Sequence, residues 1–327
     1  MITLGIECTA HTFGISILKD KKFLCNLRDM YKTEKGGIIP VEAAKHHEHI
    51  KNQLLQQALK ESKIKLSDIN LIALSNAPGL SPCLLQGMKF AKELSRILSI
   101  PIVPVNHCIA HLEIGEITKA KDPVLLYCSG ANTQVIAYAS NKYRIFGETL
   151  DMGIGNFIDT FGRYAGLGFP AGAKIEELAK KANNSSLIQL PYSVKGMDVA
   201  FAGLLTNLKQ KLDSKKYPLE ILSFSLQETA FAMLIEVAER AMAHLNKKEL
   251  LLGGGVACNK RLCEMAEIMC KERKAKCFIP EKQFLVDNAA MVCWTGAKMF
   301  QSGMKIKQNE IDIFPYQRTD DVEVTWR

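Results

Sequence analysis

The sequence predicts an α/β protein built from two related halves, and three features lead to that prediction. Short apolar runs typical of buried strands alternate with longer helical patterns along the 327 residues. A strand-turn-strand pattern at the N-terminus recurs in the middle of the chain. A glycine-rich turn joins a further buried strand to a helix late in the chain. A chain of this length is expected to form two domains, each with its own core.

The repeated pattern occupies residues 2–17 and 124–138. In each copy a buried apolar strand leads through a turn of small and hydroxylated residues into a second strand. Turns of this composition bring several backbone N–H groups and hydroxyls together, an arrangement suited to holding phosphate. The duplication therefore predicts two subdomains, residues 1–122 and 123–327, with a cleft between them.

The third turn, residues 253–255, consists of glycines between a strand and a helical pattern that begins at Lys260. Glycines at a strand-to-helix turn allow a flat or phosphate-bearing ligand to approach closely. The turn matches neither G-x-G-x-x-G nor the P-loop, so it identifies no ligand by itself. Before it, an apolar, alanine-rich pattern from about residue 219 to residue 245 predicts a long helix that faces the core.

The composition is that of an ordinary globular protein, with 47% hydrophobic and 23% charged residues. No apolar run approaches the length of a membrane span, and the N-terminus is typical of a strand rather than a signal peptide. We therefore expect a cytoplasmic protein with no membrane partner. The ten cysteines are scattered and never spaced C-x-x-C, which predicts buried free thiols rather than disulfides or a zinc ribbon.

The chain carries a formal net charge of +8, with basic residues in short groups at 19–22, 215–216 and 271–276. Any single group is expected to be a solvated helix face. Summed over the surface, this charge is compatible with a polyanionic partner such as RNA, although it does not establish one.

Two histidines carry the most specific chemical signal. His107 and His111 are four residues apart, so a helix places them on one face, where they can hold one metal ion. In the H-E-x-x-H hydrolases a glutamate base follows the first histidine, whereas this chain has Cys108, which argues against zinc-protease chemistry. The spacing alone fits equally well a core helix with hydrogen-bonded imidazoles. For the second histidine group, residues 46–49, a solvated or substrate-facing helix is favoured over a second metal site.

The two phosphate turns and the late glycine turn resemble those of the actin, sugar kinase and Hsp70 ATPase superfamily. Within it, the His107-x-x-x-His111 pair is similar to that of the tRNA threonylcarbamoyladenosine transferases, called TsaD in bacteria and the catalytic subunit of the KEOPS complex in archaea and eukaryotes. Further motifs with the same resemblance are N-T-Q-V-I-A-Y at 132–138, K-G-M-D-V-A-F at 195–201 and R-T-D at 318–320. The C-terminal motifs are typical of the archaeal and eukaryotic branch.

The resemblance implies one divalent metal ion, iron in preference to zinc, held by His107, His111, Tyr127 and Asp287. Nitrogen and oxygen ligands of this kind suit either ion. Without the resemblance, Tyr127 is interpreted as a half-buried strand aromatic and Asp287 as a helix N-cap.

The resemblance also implies a nucleotide site. The turn from Cys128 to Ala131 would lie against the phosphate, and Asp159 and Glu176 would accept hydrogen bonds from ribose hydroxyls. Gly172 would permit close approach, and Asn259 would close over the adenine. The full set of implied substrate-binding residues is Tyr127, Cys128, Ser129, Gly130, Ala131, Asp159, Gly172, Glu176 and Asn259.

This chain departs from the family pattern near that site. Ala131 stands where a second glycine is usual, and family members usually have glycines near Ala171 and a proline near Ala173. A methyl group at Ala131 would restrict a turn that required positive φ.

The implied reaction transfers the threonylcarbamoyl group from threonylcarbamoyl adenylate to the exocyclic amine of the adenosine 3′ of the anticodon in ANN-decoding tRNAs, with release of AMP. It would be metal-assisted, with no protein nucleophile assigned, and the small kinase and accessory subunits of KEOPS would be separate chains. Two alternatives stay open from the sequence: a metalloprotease, and an ATP-dependent switch or sugar kinase of the same fold.

Overall fold

The computed structural model describes residues 1–33, 37–182, 187–304 and 308–327. Its strands are β1 (Ile2–Glu7), β2 (Thr12–Lys19), β3 (Lys22–Met30), β4 (Leu71–Ala77), β5 (Ile102–Asn106), β6 (Val124–Cys128), β7 (Thr133–Ala139), β8 (Lys142–Glu148), β9 (Val194–Lys195), β10 (Asp198–Val199), β11 (Glu249–Gly253) and β12 (Lys276–Phe278). Its α-helices are α1 (Pro40–Ser62), α2 (Ser81–Leu98), α3 (His107–Glu113), α4 (Ile154–Tyr164), α5 (Gly172–Ala179), α6 (Ala202–Asp213), α7 (Leu219–His244), α8 (Lys260–Glu272), α9 (Lys282–Leu285) and α10 (Ala289–Gln301).

The described residues form two compact units. The first comprises Met1–Ile114, Ser140–Tyr143 and Val286–Arg327, and the second comprises Gly115–Ala139 and Arg144–Leu285. This grouping differs from the predicted subdomains, because the segment after Val286 returns to the first unit rather than continuing the second. The physical reason is α10, which packs on β1, β2, β4 and α3.

The first unit is built on a five-stranded sheet in the order β3-β2-β1-β4-β5. Strand β1 pairs antiparallel with β2 and parallel with β4, and β4 pairs parallel with β5. Gly5 in β1 permits the close approach of α10, since a Cβ at that position would lie 2.5 Å from the carbonyl oxygen of Ala289. The sheet and α10 are therefore in direct backbone contact.

The second unit repeats this topology with the strand order β8-β7-β6-β11-β12. Strand β6 pairs antiparallel with β7 and parallel with β11, and β11 pairs parallel with β12. Each unit thus contains a central strand between an antiparallel neighbour and a parallel neighbour. The predicted α/β class and the duplicated strand-turn-strand pattern are both confirmed.

Helix α7 is the one described helix that is long and apolar enough to cross a membrane by length and composition. In the most apolar 18-residue window, 67% is buried inside the protein, and its side chains, such as Leu226 and Phe231, belong to the core of the second unit. An apolar surface on all sides is typical of a central core helix as well as of a membrane span. The predicted core-facing helix is therefore present.

All ten cysteines are free thiols, and seven of them are buried. The prediction of free thiols is confirmed, whereas the predicted burial does not hold for Cys258, Cys263 and Cys277, which are partly exposed.

Candidate metal and nucleotide sites

Two helix starts bring the metal-ligand candidates together in the first unit. Helix α3 begins directly after β5, and the Oδ1 atom of Asn106 caps it by accepting hydrogen bonds from the backbone N–H groups of Cys108 (3.0 Å) and Ile109 (3.2 Å). His107 and His111 therefore lie on the first two turns of a fixed helix. Asp287 lies two residues before the start of α10, whose N-cap is Asn288. The interpretation of Asp287 as a helix N-cap is thus wrong.

His107, His111 and Asp287 form a group of three ligand atoms that all lie within 4.8 Å of one another. The Oδ1 atom of Asp287 is 3.3 Å from Nε2 of His107 and 3.7 Å from Nε2 of His111. The two imidazole rings are nearly perpendicular, with centroids 4.8 Å apart. Both histidine side chains are almost fully buried, whereas the side chain of Asp287 is 23% exposed. The carboxylate therefore forms the open side of the cluster.

These donors fit a divalent transition-metal ion. Ions such as zinc bind imidazole nitrogen and carboxylate oxygen at about 2.0–2.2 Å, which places neighbouring ligands of a tetrahedral site about 3.4 Å apart. The two Nε2–Oδ1 distances lie close to that spacing. Nitrogen with carboxylate oxygen also suits iron. The geometry supports a metal site and does not select the element.

A buried carboxylate supports His107 from behind. The Oε2 atom of Glu7 lies 3.0 Å from Nδ1 of His107, and the Oε1 atom of Glu7 accepts a hydrogen bond from the backbone N–H of Thr9 at 2.8 Å. The Thr9 hydroxyl also donates to Oε1 and lies 3.2 Å from Nδ1 of His107. With Nδ1 held by a carboxylate, Nε2 faces Asp287 as the donor atom, the arrangement common among metal-binding histidines.

Glu7 and Thr9 were not predicted from the sequence. Glu7 ends the buried strand β1 and is fully buried. An ionised side chain in an otherwise apolar strand is seldom buried without a partner. The sequence therefore contained one local signal, a carboxylate at the end of a buried strand, but that signal did not identify His107 as its partner.

The two histidines respond oppositely to this environment. Burial by itself lowers the pKa of His107, but the carboxylates of Glu7 and Asp287 outweigh burial and raise the pKa well above its ordinary value. Burial dominates at His111 and lowers its pKa. Burial raises the pKa of Asp287, yet the facing histidines outweigh it and hold that pKa well below the usual range. Asp287 therefore stays ionised, as a metal ligand must, whereas His107 has to give up a proton before Nε2 can coordinate an ion.

Tyr127, the fourth predicted ligand, lies in β6 of the second unit, opposite Gln134 of β7 and beside Gly253 of β11. Its side chain is 1% exposed, so it is fully buried rather than half-buried as a strand aromatic was expected to be. Its role as a ligand of the metal and of the substrate stays a prediction.

The predicted phosphate turn of the second unit is compact and regular. The backbone N–H and hydroxyl of Ser129 both donate to the carbonyl of Asn132, at 2.8 and 3.0 Å. The carbonyls of Ser129 and Gly130 accept hydrogen bonds from backbone N–H groups at the start of α4, each at 3.1 Å. Neither Gly130 nor Ala131 has positive φ, so the methyl group of Ala131 does not strain the turn. Cys128 contributes backbone only, since its side chain is fully buried.

The glycine turn after β11 packs against this phosphate turn. Gly254 has φ of +85°, and a Cβ there would lie 2.3 Å from the carbonyl oxygen of Cys128. Only glycine is accommodated at that position. Asn259 follows and caps α8 through Oδ1, while its Nδ2 donates to Oε1 of Gln227 at 2.6 Å. The side chain proposed to face adenine is thus held by two internal contacts.

The two predicted ribose carboxylates lie on neighbouring helices that pack together. The Oδ1 atom of Asp159 in α4 accepts from the backbone N–H of Ala171 at 2.7 Å. Glu176 in α5 pairs with Lys180 at 2.9 Å. At Gly172, the first residue of α5, a Cβ would meet nothing within 4 Å, so the backbone there borders open space. The ribose contacts of Asp159 and Glu176 and the close approach at Gly172 stay predictions.

The second histidine group divides on α1. His47 is fully buried beside the ring of Phe13, at a centroid distance of 5.3 Å, whereas His49 is exposed and His46 pairs with Asp29 at 2.9 Å. The expectation of a solvated helix is therefore wrong for His47. Its position fits the buried spacing of α1, which runs through Ala43, His47, Ile50 and Leu54.

The comparisons with known proteins agree on one family. Residues 24–294 match the family model described as TsaD, tRNA N6-adenosine threonylcarbamoyltransferase. Proteins of that name from Thermococcus kodakarensis and Thermococcus sibiricus are 51% and 50% identical to this chain over 326 residues, with both chains covered in full. A probable bifunctional tRNA threonylcarbamoyladenosine biosynthesis protein from Methanosarcina mazei is 50% identical over 99% of this chain, which spans 59% of that protein.

Solved structures show the fold. HypF from T. kodakarensis superposes with a TM-score of 0.64 at 15% identity, over 94% of this chain and 48% of that one. The activator of 2-hydroxyisocaproyl-CoA dehydratase from Clostridium difficile, with bound ADPNP, superposes with a TM-score of 0.56 at 12% identity, over 94% of this chain and 99% of that one. These likenesses and the repeated topology give the actin-like α/β fold. Full-length identity near 50% establishes the rest: the chain belongs to the tRNA N6-adenosine threonylcarbamoyltransferase family of tRNA-modifying enzymes.

Proposed function

We propose that this protein transfers the threonylcarbamoyl group from threonylcarbamoyl adenylate to N6 of the adenosine 3′ of the anticodon in ANN-decoding tRNAs. The observation that carries the proposal is the cluster of His107, His111 and Asp287, in a chain that matches named threonylcarbamoyltransferases from end to end. The histidine pair requires no further explanation under this function, whereas it would be unexplained in a simple nucleotide-dependent switch.

We propose a single divalent ion, iron, held by His107, His111, Asp287 and Tyr127. When bound, the ion supplies Lewis-acid polarisation and a template for the substrate. Glu7 keeps the Nδ1 atom of His107 oriented, so that Nε2 stays directed towards Asp287. Asp287, ionised and partly exposed, presents its carboxylate on the open side of the cluster.

The nucleotide part of the substrate is proposed to bind the second unit. Backbone groups of the turn from Cys128 to Ala131 would contact the phosphate, with Tyr127 beside it. Asp159 and Glu176 would accept hydrogen bonds from the ribose hydroxyls, because an ionised carboxylate can accept from two adjacent hydroxyls. Gly172 leaves room for the backbone to approach the ligand. Asn259, fixed by its hydrogen bond to Gln227, would border the adenine.

The chemistry is an acyl-type transfer. The N6 amine attacks the carbamoyl carbon, the bond from that carbon to the phosphate oxygen breaks, N6 loses a proton and AMP leaves. A mixed anhydride is already activated, so positioning and charge stabilisation suffice without a protein nucleophile. We accordingly assign no side chain as nucleophile or base.

We further propose that the chain acts in the cytoplasm as the catalytic subunit of a KEOPS assembly, with a small kinase and accessory subunits as partners. The longer bifunctional relatives support a partnership of this kind, since the present chain corresponds to about 59% of such a protein.

The test is nucleoside mass spectrometry of an unmodified ANN-decoding tRNA after incubation with threonylcarbamoyl adenylate, this protein and its KEOPS partners. The product threonylcarbamoyladenosine is expected with the wild type and is expected to be lost with His107→Ala. His49→Ala, an exposed histidine on α1, is the matched control and should retain activity. Elemental analysis of the purified protein measures the metal. Absence of product, with the same partners active alongside a known family member, would refute the proposal.

A further inference from the structure

A basic and aromatic surface lies on the second unit, away from the residues assigned so far. It consists of lysines at the end of α6 and in the following turn, together with two tyrosines, and we call it the α6 basic surface. Its members are Tyr164, Lys209, Lys211, Lys215, Lys216 and Tyr217.

The lysines of this surface gather around the aromatic rings. The Nζ atom of Lys209 lies 4.9 Å from the ring centroid of Tyr164. The Nζ atoms of Lys211 and Lys216 lie 5.3 and 5.7 Å from the centroid of Tyr217. These are cation–π distances, so the ammonium groups are held near the rings. Exposed lysine side chains otherwise retain most of their rotamer freedom.

The charge of this surface is concentrated and poorly neutralised. Residues 209–217 contain four lysines and one acid, Asp213, a net charge of +3. Asp213 accepts a hydrogen bond from the hydroxyl of Tyr164 at 2.6 Å. Within the described parts of the chain, none of the four lysines forms an ion pair with a carboxylate. A surface charge without internal ion pairs is available to an external anion.

The fold places this surface at the far end of the helix that begins at the phosphate turn. Helix α4 starts where its backbone N–H groups bond to Ser129 and Gly130, and it ends at Tyr164. Its 11 residues span about 16 Å at a rise of 1.5 Å per residue. Leu204, Leu205 and Leu208 bury the opposite face of α6 in the core, which keeps the surface in position.

We propose that the α6 basic surface binds the phosphate backbone of the tRNA, with the exposed ring of Tyr164 as a platform for an unpaired base. Phosphate contacts from lysine provide affinity without sequence selectivity, and aromatic stacking adds to it on single-stranded RNA. A strand of a few nucleotides would bridge the distance along α4 from the reacting adenosine to this surface. The inference rests on the proposed function, because that function makes tRNA the substrate.

The test measures binding of an unmodified ANN-decoding tRNA transcript by fluorescence anisotropy at several salt concentrations. The variant is K209A/K211A/K216A, which removes the three lysines that contact the rings. The matched control is K271A/K274A/K276A, which removes the same charge from residues 271–276, where no aromatic residue occurs. A third variant, K209R/K211R/K216R, keeps the charge and reports on folding.

We expect the first variant to bind tRNA at least about 10-fold more weakly at 0.1 M salt, with the salt slope reduced by about one for each phosphate that no longer meets a lysine. The control and the arginine variant should bind within about twofold of the wild type. Equal losses of affinity in the first variant and the control would overturn the proposal, since they would reflect net charge alone. Poly-glutamate serves as a probe for an acidic protein partner. If the first variant loses binding to poly-glutamate but binds tRNA as the wild type does, the proposal is overturned in favour of such a partner.

The two proposals fail separately. Wild-type protein that binds tRNA through this surface but forms no threonylcarbamoyladenosine would refute the proposed reaction alone. Wild-type protein that forms the product, with the first variant binding tRNA normally and keeping its KM for tRNA, would refute this inference alone.

Discussion

Replacing Glu7 with glutamine should weaken metal binding while leaving all three clustered ligands in place. Glu7 is fully buried, and its two oxygens serve different donors: Oε1 accepts from the backbone N–H and hydroxyl of Thr9, and Oε2 faces Nδ1 of His107. A glutamine side chain fills the same volume, but one of its two positions becomes an NH₂ donor. Either the NH₂ group faces the N–H of Thr9, or it faces Nδ1 of His107. In the first case the N–H of Thr9 loses its acceptor, and in the second Nδ1 has to accept, which moves the imidazole proton to Nε2 and blocks that atom as a metal ligand.

The expected magnitude follows from the role of the carboxylate. Loss of a partner that orients a metal-binding histidine typically costs 10- to 100-fold in metal affinity, which corresponds to about 1.4–2.7 kcal/mol. The change should appear in the metal dissociation constant, measured by competition with a chelator of known affinity. Thr9→Val is the control, because it removes only the hydroxyl and leaves the Glu7 contact to His107. We expect a smaller loss of affinity from it.

Wild-type metal affinity in Glu7→Gln, with the fold intact by circular dichroism, would refute this reasoning. It would mean that the hydrogen bond to Nδ1 of His107 does not orient the ligand. If His111→Ala loses metal affinity and Glu7→Gln does not, the binding free energy of the metal comes from the proposed ligands alone, without a contribution from Glu7.

Three further predictions concern stability and the nucleotide site. Burial lowers the pKa of His47 to about 4, so that on acidification the unfolded state binds a proton before the folded state does. The free energy of unfolding should therefore fall by about 3 kcal/mol between pH 6.5 and pH 4. In urea unfolding, His47→Phe should show a weaker dependence of stability on pH than the wild type. Gly254→Ala should lower the stability by about 1–3 kcal/mol in thermal unfolding, because Gly254 has positive φ and lies against the carbonyl of Cys128. Gly172→Ala should fold normally, since a methyl group there meets open space, but it should bind an adenylate analogue more weakly by calorimetry. Lys298→Met should cost about 3 kcal/mol, because the buried Glu113 carboxylate then keeps only Arg327, whose Nε lies 4.0 Å from Oε1, as a cationic partner. The double variant with Glu113→Leu should regain most of that stability, and no recovery would contradict this explanation.

Local patterns in the sequence were sufficient to predict the elements of the fold. Strands β1 and β6 are buried along nearly their whole length. Strand β6 is an unbroken apolar run, whereas β1 places Ile2, Leu4 and Ile6 at alternate positions, and a turn of small residues follows each strand. The histidine pair at i and i+4 was likewise predictable, since a helix places both rings on one face. These patterns depend only on residues close together in the sequence, and the structure confirms the buried strands and the helical histidine pair that they predict.

Contacts between distant residues were not predictable in the same way. Glu7 and His107 are 100 positions apart, and no local pattern connects them. Asp287 was identified as a ligand only through the family resemblance, because a carboxylate before a helix is typical of a cap, and the actual cap is Asn288, one residue later. The return of the residues after Val286 to the first unit also depends on contacts between residues that are far apart in the sequence. It depends on Gly5 admitting α10 against β1.

A buried ion pair explains how these distant segments form one rigid site. Glu113 ends α3, the helix of His107 and His111, and its fully buried carboxylate binds Lys298 of α10 at 2.5 Å and the hydroxyl of Tyr143. Asp287 precedes that same helix α10. The pair therefore joins the helix that carries two proposed ligands to the helix that follows the third. Replacing such a pair by apolar residues is often neutral for stability, so stability alone does not account for its presence. Its contribution is positional: the pair connects α3 to α10 on one side, and Glu7 contacts His107 on the other. Buried carboxylates thereby hold the three proposed metal ligands, His107, His111 and Asp287, close together.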